Sequence, residues 1–150
     1  MAKDPQAARM VAEGLLARTR DALMAGDAED FCDCFLLPHR IELFDSSNVV
    51  ETRDDLQAVF FAMRDYLLRH GITEMIRQCV DAEFTDDDTI STTHISRLLR
   101  GSELMQAPYP VYSIVRRIDG VWKIAHGKYA IANSPELDRA LSAKADGSES

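Results

Sequence analysis

The sequence predicts an α+β domain with the element order α-α-β-β-α-β-β-β-β. Three observations carry this. Apolar residues recur at helical spacing through most of the first seventy positions, broken by one short β-rich stretch. After Gly71 the period changes from 3.6 to 2 and stays there for the rest of the folded chain. Asp119-Gly120, between two alternating runs, is the strongest two-residue hairpin signal in the chain.

The elements follow in order. Ala8, Val11, Ala12, Leu15, Leu16, Ala22 and Leu23 form one stripe over Asp4–Ala25, with Asp4 as N-cap and Pro5 at the first helical position. Gly26 ends that helix. Asp27 begins a shorter one, with Phe31, Cys34 and Phe35 on a shared face, which Pro38 is expected to terminate. "HRIELFD" and "NVVET" read as a hairpin around Ser46-Ser47-Asn48. In the third helix Thr52 and Asp55 approximate a capping box. Leu56, Val59, Phe60, Met63 and Leu67 form its stripe, Gly71 stops it, and His70 is a solvated helix-end residue. Strands are expected at "ITEMIRQCVDAEF", "TISTTHISRLLR", "YPVYSIVRRI" and "VWKIAHGKYAI". Residues 1–132 then form one domain, and 133–150 a short helix and a disordered tail.

The tight turn sets a register. Strict alternation outward from Asp119-Gly120 pairs Arg117 with Trp122, Val115 with Ile124, Ser113 with His126, Val111 with Lys128 and Tyr109 with Ala130 on one face. The reverse face carries the like-charged pair Arg116/Lys123, which would be costly to bury. The first face therefore turns inward, with His126 and Ser113 opposite each other. A three-residue turn at Asp86-Asp87-Asp88 pairs Phe84 with Ile90 and Val80 with His94. That puts Ile76, Val80, Gln78, Thr92, His94 and Ser96 inside and Arg77 opposite Arg97 outside.

Composition excludes several function classes. Seventeen basic against twenty-five acidic residues give a net charge of −8, with no basic stripe, so nucleic acid and anionic membrane are not expected partners. Asp4-Pro5 stands where a signal peptide would need an apolar core, and no apolar run approaches membrane-spanning length; a cytoplasmic, soluble protein is expected. Cys32, Cys34 and Cys79 are no disulfide framework. His39, His70, His94 and His126 are scattered without metal-ligand spacing, so neither metal nor cofactor is expected.

Ala22-Leu23-Met24-Ala25-Gly26-Asp27, then Phe31 and Phe35, and the closing Asp119-Gly120-Val121-Trp122-Lys123-Ile124, taken with the element order, resemble the nuclear transport factor 2-like superfamily and its SnoaL-like group over about Pro5 to Ile131. The resemblance implies a cone-shaped, curved mixed sheet wrapped around the helices, closed at one end and open to a pocket at the other. It also implies a homodimer through the outer sheet face, where Tyr112, Ile114, Ala125 and Tyr129 would lie. Ketosteroid isomerases of this fold would need their catalytic groups at Leu43, Thr19 and near Ser113, and none matches. Scytalone dehydratase-like members, which use pocket histidines as acid and base, are similar in type.

The resulting candidate site has His94 and His126 as acid–base groups, Ser113 setting the tautomer of His126, and Trp122, Ile124, Val115, Phe60, Met63 and Tyr66 as the binding wall. Two functions fit an apolar pocket for a small, hydrophobic, cyclic or aromatic metabolite. One is a cofactor-free lyase or isomerase; the other is a non-catalytic binding or dimer-forming module in which the histidines are wall.

Overall fold

Helix boundaries follow the local chemistry closely. A computed structural model describes residues 4–132 and 134–145. Helix α1 (Pro5–Ala25) starts where the Asp4 carboxylate accepts the Gln6 amide, with Pro5 at the first position. It stops at Gly26, whose φ of 81° is left-handed. The Arg64 guanidinium closes that end, donating to the carbonyls of Leu23 at 2.6 Å and Met24 at 3.0 Å. Helix α2 (Ala28–Cys32) is capped by Asp27, and α3 (Arg53–Arg69) by the Thr52 hydroxyl, which accepts the Asp55 amide.

The strands are β1 (Phe35–Glu42), β2 (Ser47–Val50), β3 (Glu74–Asp86), β4 (Thr89–Arg100), the two-residue β5 (Glu103–Leu104), β6 (Tyr109–Ile118) and β7 (Val121–Tyr129). They form one open mixed sheet in the order β2-β1-β7-β6-β4-β3, with β5 on the end of β4; only β1 and β7 run parallel. With the helices packed inside its curve, the chain is an α+β cone, as expected.

Three local expectations change. The second helix ends at Cys32, and Phe35 opens a strand that runs through Pro38. Proline is accommodated there because the pairing of β1 with β7 is interrupted between Phe35 and Arg40, so its missing N–H breaks no ladder bond. The first hairpin turns over residues 43–46, closed by the Leu43 amide on the Ser46 carbonyl at 2.8 Å, rather than at Ser46-Ser47-Asn48. His70 is only partly solvated: its side chain keeps 34% exposure, while its ring packs 4.4 Å from that of Tyr66 and bonds Glu136 at 2.9 Å.

Helix α4 (Pro135–Leu141) buries Leu137, Ala140 and Leu141 in the core beside α3. It is tied across the cone by Asn48 on the Leu141 carbonyl at 3.2 Å and by Glu136, which binds both Arg69 and His70. The tail expected over 144–150 lies, from 146 onward, outside the described residues.

Two β-bulges govern which side chains point inward. Near the turns the pairs are as expected, Val115 with Ile124 and Phe84 with Ile90, although the second turn is the two residues Asp87-Asp88 and not three: Asp86 faces Thr89, and Thr85 is an extra residue that brings Phe84 back opposite Ile90. Then Ala125 is inserted in β7, so Ile114 faces His126 and Ser113 faces Gly127. Likewise Val80 is inserted in β3, so His94 faces Cys79. One extra residue moves every later side chain to the other face. Met75, Arg77 and Cys79 therefore point in, while Ile76 and Val80 are exposed. Tyr129 points in, whereas His126 and Lys128 point out. Arg77 stands opposite Ser96 rather than Arg97.

The bulges divide the interior. On the turn side, α1 packs Ala8, Ala12 and Leu15 against Ala82, Ile90, Val115, Trp122 and Ile124. Arg117 covers Trp122 with its guanidinium 5.2 Å from the ring centre, shielding the aromatic edge of this apolar end. On the far side the inward residues become polar, and there the core opens into a cavity.

Candidate functional site

The cavity sits between α3, α4 and the inner faces of β1, β3, β4, β6 and β7. Its polar lining is His39, Arg77, His94, Ser96, Tyr109 and Tyr129; Phe31, Phe35, Leu56, Val59, Met63, Met75, Val111 and Leu141 supply much of the apolar wall. The space open to water centres is about 40 Å³, room for roughly three waters, since one needs about 10–15 Å³. A larger occupant requires the wall to give, and Met63 and Met75 are its most adaptable members.

Each bulge delivers polar groups to this space and leaves backbone to be satisfied. At Val80, Arg9 on α1 reaches the neighbouring Cys79 carbonyl at 2.6 Å. At Ala125 the side chain that answers is His39, whose ring bonds the Ala125 and Ile124 backbone. Both raise its pKa, as a ring N–H donating to backbone carbonyls does. The His39 Nδ1 is buried with no hydrogen-bond partner. Burial still dominates and holds the His39 pKa down at about 4, with His126 on the other face adding a smaller push.

His94 is 3% exposed, and its Nε2 is likewise buried without a partner. Burial first, then the Arg77 guanidinium, lowers its pKa to about 3. It stands between the main cavity and a second hollow of about 20 Å³, lined by Leu15, Leu16, Thr92, Ser113, Val115 and Ile124 among others. That hollow has room for one water against His94, Thr92 and Ser113.

Arg77 is half-buried and lines both this cavity and an outer groove beside Arg20 and Glu74; burial pushes its pKa down and the Tyr129 and Tyr109 phenols push back. An arginine remains a cation under such a shift. Its Nη1 donates to the Thr19 hydroxyl at 2.6 Å and the Leu16 carbonyl at 3.2 Å. Tyr109, beside Ser96, is raised to about 12 by burial, and Tyr129 is raised for the same reason; both hydroxyls stay protonated near neutral pH.

The expected residues divide accordingly. His94 and Met63 line the cavity. Ser113, Val115 and Ile124 line the small hollow behind His94, and Trp122 packs with Phe84 at the apolar end. Phe60 and Tyr66 are core residues of α3. His126 lies on the outer face, its Nε2 against the Glu42 carboxylate, and does not meet Ser113. Sequence reasoning missed His39, Arg77 and Tyr129 as site residues. The first was obscured by reading Pro38 as a helix stop, the others by the bulges.

Among the described residues no helix is long and apolar enough to cross a membrane, and no three His, Cys, Asp or Glu side chains gather as a metal site. The three cysteines are free and buried; burial pushes Cys32 and Cys34 up to about 11.

No protein-family model matches the chain, and no curated protein does. Solved structures do. A domain of unknown function with a cystatin-like fold from Nostoc punctiforme PCC 73102 aligns with a TM-score of 0.68 at 16% identity, over 90% of this chain and 83% of that one. Aln2 from a Streptomyces species aligns with a TM-score of 0.68 at 14% identity, over 93% and 99%. An NTF-2 like protein of unknown function from Shewanella oneidensis MR-1 aligns with a TM-score of 0.65 at 11% identity, over 81% and 98%. At such identities the likeness is one of fold alone: the open mixed sheet with its helices is an architecture shared with solved proteins described as NTF2-like and cystatin-like.

Proposed function

We propose that the protein binds a small hydrophobic molecule, cyclic or aromatic, in this cavity and carries out cofactor-free acid–base chemistry on it, of lyase or isomerase type. The observation that carries the reading is the pair of histidine nitrogens, His39 Nδ1 and His94 Nε2, both buried without partners on the wall of one cavity. Buried polar groups are normally bonded, so two such atoms on residues that line one cavity call for an occupant that bonds them. His94 exchanges a proton with the ligand, His39 accepts through Nδ1, and Ser113 with a water in the rear hollow orients His94. The tyrosines donate hydrogen bonds to a ligand oxygen.

The test is carbon-acid exchange. Small cyclic and aryl ketones such as cyclohexanone, 2-indanone and acetophenone are incubated in D2O with the protein, and loss of the α-proton signal is followed. Wild type should accelerate exchange, and His94→Gln should lower the rate about 10²–10⁴-fold with folding retained. Binding without any acceleration would replace this reading by the non-catalytic one. The small cavity is the observation that favours that second reading.

The protein works as a homodimer through the outer sheet face and resides in the cytoplasm. Support for the first is that Tyr112, Ile118 and Val121 stand 46%, 46% and 49% exposed on that face, with Arg116 and Lys123 beside them as a polar rim. Support for the second is three unpaired cysteines, which suit a reducing compartment.

A further inference from the structure

The cavity contains a cation and nothing to balance it. None of its lining residues is Asp or Glu, and both hydrogen bonds of Arg77 run from Nη1 to neutral groups, the Thr19 hydroxyl and the Leu16 carbonyl. The nearby groups that could ionise to an anion do not: burial raises Tyr109, Tyr129 and Cys34, so each keeps its proton at neutral pH. Both histidines of the wall are neutral as well. The cavity wall therefore carries a net charge of one guanidinium.

A purely structural role does not require that charge. Tying β3 to the middle of α1 takes the two N–H groups of Nη1, which the NH2 of a neutral amide would also supply. The remaining donors of the fork are left over by that role, and a cation in a cavity wall without a counter-ion is costly unless something pairs with it. A guanidinium fork matches the two oxygens of a carboxylate and outlasts any pH change in its charge.

We infer, on the reading that this cavity is the ligand site, that its ligand is a small apolar molecule bearing an acidic oxygen group, a carboxylate or phenolate, held against Arg77. The apolar body lies among Met63, Met75, Leu56 and Val111, and the acidic end lies between Arg77, His94 and Tyr109. An anion there also changes the neighbouring chemistry. Arg77 is one of the two causes that depress His94, so neutralising it moves His94 back toward its ordinary value and makes it a more effective proton acceptor.

Three acid/amide pairs of rising size test this: acetate and acetamide, isobutyrate and isobutyramide, benzoate and benzamide. Each is titrated into the wild-type protein labelled at its methionine methyls, so that shifts at Met63 and Met75 report binding in this cavity. The acid of at least one pair should bind about 10–100-fold more tightly than its amide, the usual worth of a charged hydrogen-bonded contact. Arg77→Gln should abolish the preference while leaving the amide's affinity unchanged. An amide that binds as well as its acid would overturn the inference and leave the pocket standing. Failure of every probe to shift either methionine would overturn the pocket and the inference together. A preference that persists in Arg77→Gln would overturn the assignment to Arg77. Should that variant fail to fold by circular dichroism, the wild-type comparison decides alone.

Discussion

Mild acid should destabilise this protein far more than its surface charges would suggest. In the unfolded chain His39 and His94 take up protons near their ordinary value of 6.5, whereas in the folded chain they resist until about 4 and about 3. Between those limits the unfolded state holds more protons, so stability rises with pH there and is lost as pH falls below about 6.5. At pH 5 each imidazole is about 1.5 pH units below its unfolded value, at about 1.4 kcal/mol per unit, or about 2 kcal/mol each and about 4 kcal/mol for the pair. Against a total of about 5–15 kcal/mol this is a large fraction. With a urea m-value of about 2 kcal/mol/M, the unfolding midpoint should fall by roughly 2 M between pH 7 and pH 5. His94→Gln and His39→Gln should each remove about half of that pH dependence. A wild-type midpoint that shifts by less than about 0.3 M, or variants that keep the full pH dependence, would refute the claim that both rings are buried and neutral.

Two further outcomes are expected. Ile114→Asp, on the outer face opposite His126, should shift a dimer to monomer in sedimentation at micromolar concentration with the fold intact by circular dichroism; wild type that is already monomeric at that concentration would reject the interface. Gly127→Val should lower stability by about 1–3 kcal/mol in urea unfolding, the usual cost of overpacking, because even a Cβ at Gly127 would lie 3.0 Å from the Tyr129 ring; an unchanged midpoint would mean that Tyr129 does not cover that glycine.

Punctuation residues carried most of what could be read in advance. Asp4-Pro5, Gly26, Thr52 and Gly71 mark helix ends because each satisfies or releases specific backbone groups, and Asp119-Gly120 sets the pairing correctly as far as Val115 and Ile124. Beyond those residues the expected register rested on strict alternation. Val80 and Ala125 are ordinary strand residues whose side chains do not announce that they are surplus, so a bulge at either leaves no local mark. Both readings of "MIRQCV" are also half apolar: Ile76 and Val80 on one face, Met75 and Cys79 on the other. Charge then misled, since two arginines taken to be opposite one another argued for solvent, when Arg77 in fact faces Ser96. Tyr129 following Gly127 at two residues was the one available hint, because a ring needs bare backbone to lie across.

The bulges bear on how such a chamber is inherited. In a strand that alternates perfectly, charging the interior takes one substitution at a time, each exposed to selection as a damaged core. Adding a single codon acts differently, since it exchanges a whole row of existing side chains between the two surfaces in one step. Removing Ala125 would reverse the exchange, bringing His126 and Lys128 indoors and turning Tyr129 out, without altering the chemical identity of any remaining residue. Relatives of this chain that differ in length by one residue in either strand are therefore expected to differ more in what they bind than relatives that differ by many substitutions elsewhere.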